Sequence, residues 1–150
     1  MQIEPILRAL RDLEQAAADL YGFYAEIFSD NSEARQFFLH MQKQEIKHRD
    51  IVEFEHRLVM GNSDSFGEVP IDDRDIRKVI ESIEQHISEG IFDIRDAFDF
   101  ALELEESAVE SFYKTALAQS NPKLQSMIDH LTEADSGHVK QLKNFASRVV

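Results

Sequence analysis

The chain has 150 residues, 43% of them hydrophobic and 30% charged, with a formal net charge of −13 and no cysteine. That is enough sequence for one domain with its own core and too little for two ordinary ones. The acidic balance and scattered Lys and Arg exclude an extended nucleic-acid surface, and the missing thiols exclude disulfides, thiolate metal sites and iron–sulfur centres.

No apolar run approaches the length of a bilayer span, and the first residues lack the basic start and apolar run of a secretory signal. A cytoplasmic protein is the expectation. From Glu4 to about Phe28, Leu10, Leu13, Ala17, Tyr21, Tyr24 and Phe28 recur at three and four, which predicts an amphipathic first helix. Glu14 interrupts that apolar stripe, where a solvated acid does not belong. The turn Ser29-Asp30-Asn31-Ser32 ends the helix, with Ser32 as the expected N-cap of a second helix running to about Met60. In this second helix Phe38, Met41, Val52 and Val59 set the inward face, and Glu45 and His48 fall on it one turn apart.

The stretch from Gly61 to Gly90 holds Gly61, Asn62, Ser63, Gly67 and Pro70, followed by a shorter helical pattern over roughly 73–88. It reads as a long crossover, which lets the third long helix run parallel to the second. That third helix is predicted over about 94–118, with Ala101, Glu105, Ala108, Phe112 and Ala116 on one stripe. Asn121-Pro122 is a cap with proline at the first helical position. Leu124, Ile128, Leu131, Leu142, Phe145 and Val149 form the last stripe, and Asp135 and His138 fall in it. The domain is thus expected to span the whole chain, as a helix hairpin at 4–60, a crossover at 61–93 and a second hairpin at 94–149.

The two hairpins agree at their odd positions. Glu14 with Ala17 and Tyr21 answers Glu105 with Ala108 and Phe112, at an offset of 91 residues, and Glu45 with His48 answers Asp135 with His138, at an offset of 90. An ionised carboxylate buried without a partner costs several kcal/mol, so four inward acids call for counter-charge. One carboxylate from each of two helices and a carboxylate–histidine pair from each of the others is the ligand set of a di-iron or di-manganese bundle. Hard oxygen and imidazole donors without sulfur suit iron or manganese and also admit zinc.

In the stretches Glu14–Tyr21, Glu45–His48, Ala101–Tyr113 and Asp135–His138, the chain resembles the ferritin-like superfamily and, within it, the rubrerythrin-like di-iron domains. The resemblance implies an all-α ferritin-like four-helix bundle with one long crossover containing a short extra helix. It implies two iron ions, Glu14 and His48 as terminal ligands of one, Glu105 and His138 of the other, and Glu45 and Asp135 as bridges. Three features depart from the family pattern: Asp135 where glutamate is usual, Ala108 where peroxide-reducing relatives carry a further glutamate, and no rubredoxin-like domain. An external electron donor is therefore implied. Tyr21, two turns from Glu14, is placed to hydrogen-bond a ligand carboxylate or to pack its ring.

A second Glu-x-x-His pair, Glu53 and His56, is rotated about 80° from the first and is read as a decoy. His40, His86 and His130 have no inward carboxylate at the same spacing and are read as surface or boundary residues, and Lys47 and Lys140 flank the site but point away. The functional expectation is a di-iron oxidoreductase reducing peroxide or oxygen. A ferroxidase or iron-handling protein and a metal-stabilised scaffold are the alternatives, and a homodimer or larger assembly is implied by the resemblance.

Overall fold

The computed structural model describes residues 2–61, 68–90 and 93–149, and the side chains of these except 134–136 and 149. Among the described residues the regular structure is helical: α1 (Ile3–Ile27), α2 (Ser32–Gly61), α3 (Arg74–Glu89), α4 (Ile94–Glu105), α5 (Ala108–Ser120) and α6 (Gln125–Val149), with a short 3₁₀ turn at Pro122–Leu124 before α6. This is the all-α bundle expected from the periodicity.

Contacts between side chains fix how the helices run. Glu4 meets His56 and Gln15 meets Arg49, so α1 and α2 are antiparallel. Phe37 stacks on Phe145 and His48 on His138, so α2 and α6 are antiparallel as well. Phe98 lies against Phe145 and Glu105 against His138, which sets α4 antiparallel to α6 and hence parallel to α2. The long crossover permits this order, and α3, within the crossover, lies along α1 through Arg77–Asp12 and Tyr24–His86.

The core lies between the four long elements, around Leu10, Leu13, Tyr21, Phe38, Met41, Val52, Phe98, Leu131 and Phe145. Each of these large side chains removed from water contributes roughly 1.5–3 kcal/mol, and together they hold the polar site in their midst. α1 is buried on two sides because α3 adds Ile76, Ile80 and Ile83 to the same core. Gly90 ends α3 in the left-handed conformation (φ 73°), which glycine adopts without the strain of a Cβ. Asp93 and Asp96 then start α4 with a reciprocal capping box.

The structure corrects two local expectations and refines one that holds, the cap at Asn121. The N-cap of α2 is Asn31, whose Oδ1 accepts from the Ala34 amide at 3.1 Å, while Ser32 is already helical. Asn121 does cap, accepting from the Lys123 amide, but it opens the 3₁₀ turn from which α6 then continues.

The second correction matters most. The helix expected over 94–118 is broken at Glu106 and Ser107: Ser107 is extended and its hydroxyl accepts from the Val109 amide, starting α5 afresh. The break turns the following face, so Phe112 is 56% exposed while Tyr113, Lys114 and Leu117 are buried. Ser107-Ala108-Val109-Glu110 has the Ser-x-x-Glu form of a helix start, a signal masked by the apolar stripe running through it.

Candidate metal centre

Five charged or imidazole side chains converge at mid-height in the bundle: Glu14 from α1, Glu45 and His48 from α2, Glu105 from α4 and His138 from α6. Glu14, Glu45, His48 and His138 are each at most 4% exposed, so solvent cannot carry their charge. Glu45 sits between the two rings, with Oε2 3.5 Å from His48 Nδ1 and Oε1 3.1 Å from His138 Nδ1. Glu14 lies 3.6 Å from His48 on one side, and Glu105 lies 3.7 Å from His138 on the other. The imidazoles face each other, with centroids 5.1 Å apart and planes 22° from parallel. The arrangement is a shared carboxylate flanked by two carboxylate–imidazole halves.

The electrostatics show what happens when protons alone must balance this cluster. Burial pushes the Glu14 carboxyl well above the usual range, and the nearby Glu110 and Glu45 push it further. Burial and Glu45 likewise raise Glu105 to about 7, against the lowering effect of His138. Burial disfavours a charged His138, yet the carboxylates of Glu105 and Glu45 outweigh it and hold the imidazolium up to about 10. Burial disfavours a charged Glu45 too, but His138 and His48 keep that carboxyl below its ordinary value. The opposed shifts of Glu14, Glu45, Glu105 and His138 mark a buried cluster of charge that a cation would neutralise.

The donor set fits a metal. Glu45, His48 and His138 present one ligand atom each within 4.8 Å of one another. Glu14 Oε1 and His138 Nε2 are buried with no hydrogen-bond partner among the described residues, and His138 Nδ1 faces carboxylates without a hydrogen bond to either. Buried polar atoms left in this condition each cost about 1–3 kcal/mol, which a cation coordinated by the carboxylates and neutral imidazoles would offset. Asp135, the sixth expected ligand, lies outside the residues whose side chains are described.

Tyr21 is fully buried, and its hydroxyl donates to Glu105 Oε1 at 2.8 Å. The hydroxyl therefore orients a carboxylate of the cluster. The other histidines have separate partners: His56 is buried against Glu4 Oε1 at 2.8 Å while Glu53 pairs with Arg11, His40 bonds Gln44, and His130 bonds the Ser126 carbonyl. Lys47 and Lys140 are exposed, as their positions suggest.

Two residues of the cluster's surroundings escape a reading of the periodicity. Glu110 lies close enough for its charge to raise the carboxyls of both Glu14 and Glu105, so it borders the same cluster. Lys114, 4% exposed, holds Glu110 with Nζ 2.9 Å from Oε1. Both face inward because the break at Ser107 rotates α5. A cleft of about 380 Å³ between α2 and α6, bordered by Gln44, Lys47, His130 and Gly137, reaches His48 and His138 from outside.

No helix among the described residues is long and apolar enough to cross a membrane. No curated protein and no solved structure matches the chain. The family model for rubrerythrin matches residues 6–146. With nearly the whole length matched, and with carboxylates and imidazoles gathered in the interior of an all-α bundle, the chain belongs to the rubrerythrin family of di-iron carboxylate proteins.

Proposed function

We propose that the protein is a di-iron carboxylate oxidoreductase that reduces peroxide or oxygen with electrons from an external donor. The observation that carries this reading is Glu45 offering one oxygen to each of two imidazoles, with Glu14 and Glu105 flanking them. In this reading Glu14, Glu45, His48, Glu105 and His138, together with Asp135, would hold a pair of iron ions. Manganese or zinc would fit the same donors, so the identity of the metal is part of the proposal.

Bound there, the metal pair supplies the electrons that peroxide or oxygen takes up. The chain's own groups then have distinct tasks. Tyr21 orients Glu105 by its hydrogen bond, which fixes the direction of the free carboxylate oxygen. The cleft beside His48 and His138 admits a molecule of peroxide size, while the surrounding apolar side chains keep bulk water from the rest of the cluster. Self-association in the cytoplasm belongs to the same proposal, and the exposed Phe54 and Met60 near the end of α2 support it.

Elemental analysis after reconstitution with ferrous iron tests this reading, on the wild type and on a Glu45→Ala, His48→Ala double variant. About two irons per chain are expected, absent from the variant and oxidised rapidly by peroxide. Equal iron in both proteins would sink the site as assigned. Oxidation of many irons per chain without a donor would instead favour iron handling. Metal-dependent stability without redox chemistry would favour a scaffold.

A further inference from the structure

Behind Glu105 an aromatic cluster runs from the carboxylate–histidine site to the surface. The Tyr21 ring, hydrogen-bonded to Glu105, lies 6.4 Å from the Tyr24 ring at a 70° angle. Both rings pack on Phe38, at 6.3 and 5.1 Å between centroids. The Tyr24 hydroxyl is 2.7 Å from His86 Nε2, and the His86 ring stacks on Phe100 at 3.8 Å, nearly parallel. Tyr21, Tyr24 and Phe38 are fully buried, whereas His86 and Phe100 are half-buried on α3 and α4.

Neither Tyr24 nor His86 belongs to the ligand set, and packing alone does not call for a hydroxyl at Tyr24. Phenylalanines already serve that purpose beside it at Phe28 and Phe38. A buried phenol yields an electron far more readily when its proton leaves at the same time for a base within hydrogen-bond reach. His86 is such a base when its ring proton sits on Nδ1, leaving Nε2 to accept from Tyr24. Burial keeps the imidazole toward its neutral form, against the opposing pull of Glu89 and Asp96.

We propose that Tyr24 and His86 form a proton-coupled electron relay that carries an oxidising equivalent from the carboxylate–histidine centre, by way of Tyr21, to the protein surface. The inference rests on the reading of that centre as a peroxide-reducing metal site. Peroxide takes two electrons, and two protons from solvent through the cleft beside His48 and His138, to become two waters; the Tyr24 proton is not consumed. Where the centre has only one electron to give, the second comes from Tyr24 through Tyr21. The Tyr24 proton moves to His86 Nε2, leaving a neutral tyrosyl radical and an imidazolium. A one-electron reductant of the ascorbate class then reduces the radical at the His86–Phe100 surface, and the proton returns from His86 to the phenolate oxygen. The relay thereby spares the metal ligands from oxidation.

The test uses the full chain loaded with one ferrous ion per chain, mixed with hydrogen peroxide, freeze-quenched and read by electron paramagnetic resonance. A tyrosyl signal that narrows with ring-deuterated tyrosine is expected in the wild type and absent from Tyr24→Phe. In His86→Phe, which keeps a ring against Phe100, its formation slows on the order of a hundredfold. An unchanged signal in Tyr24→Phe, or none in the wild type while peroxide is consumed, overturns the relay alone. Absence of bound iron would overturn the metal reading and the relay together.

A metal-free arm reads the hydrogen bond directly, from the ¹⁵N shifts of His86 in wild type and in Tyr24→Phe. An unprotonated Nε2 whose shift moves in the variant supports the relay, and a protonated Nε2 rejects it.

Discussion

The two hairpins present similar ligand types on backbones of different regularity. In α1 and α2, Glu14, Glu45 and His48 ride on uninterrupted helices of 25 and 30 residues, and the apolar stripe predicts their direction. In the second hairpin, Glu105 is the last residue of α4, followed by a break and a helix that has turned to a new face. Regular helix conveys a ligand's direction over many turns, since each residue adds the same rotation. A single capping residue resets that count. The difference shows how an inward charge can enter a site without lying on the predicted stripe, as Glu110 and Lys114 do.

The largest contrast is expected between the shared carboxylate and a flanking one. Glu45→Gln removes the anion beside His138 and is expected to destabilise the metal-free protein by about 3–5 kcal/mol, the cost of breaking a buried pair. Glu14→Gln is expected to change it less, because burial and the neighbouring Glu110 and Glu45 push the Glu14 carboxyl toward the neutral form that glutamine resembles. Urea unfolding of both metal-free variants measures the difference, and equal losses would erase the distinction.

A pH series sharpens the comparison on the other flank. Glu105 is raised from 4.5 to about 7, so the folded chain binds that proton more tightly than the unfolded one. Its contribution is full below pH 4.5 and fades as the pH rises toward 7. His138, raised from 6.5 to about 10, contributes fully below pH 6.5 and loses its contribution as the pH rises through 10. Thermal melts of metal-free wild type should therefore lose stability relative to Glu105→Gln across pH 4.5–7. A constant gap across that window would contradict the assignment.

The caps offer a smaller test of how far the break matters. Asn31→Ala and Ser107→Ala each remove an N-cap acceptor and should each cost about 1 kcal/mol. Only Ser107→Ala is expected to weaken manganese binding as well, measured by titration calorimetry, because it loosens the start of α5 beside Glu105 and Glu110. Equal affinities in the two variants would detach the break from the site.

The smallest effect concerns glycine. At Gly137 a Cβ would meet none of the described residues within 4 Å, so Gly137→Ala should stabilise α6 by roughly 1 kcal/mol. At Gly22 a Cβ would run into Gln42 Nε2, so Gly22→Ala requires that side chain to move and should gain less. Melting temperatures of the two variants decide the order.

Much was legible in the sequence because helical periodicity is a local property. The three-and-four spacing of Leu10, Leu13, Tyr21, Phe38, Met41 and Val52 marks the buried faces, and Glu14, Glu45, His48, Glu105 and His138 stand out as polar residues on such faces. Length of connection also carries information, and the long crossover indicates that α4 can run parallel to α2.

What tertiary structure alone decided is where long-range neighbours meet. The break at Ser107 competes with an apolar pattern that reads equally well as continuous helix, and packing against α6 and the Asp72 carbonyl, which accepts from Tyr113, selects the rotated face. Glu110 joins Glu14 across nearly a hundred residues of chain, and Tyr24 meets His86 because α3 folds back along α1. Spacing along one helix cannot specify such pairs, since they depend on the distances and rotations between helices that close packing of the whole core imposes.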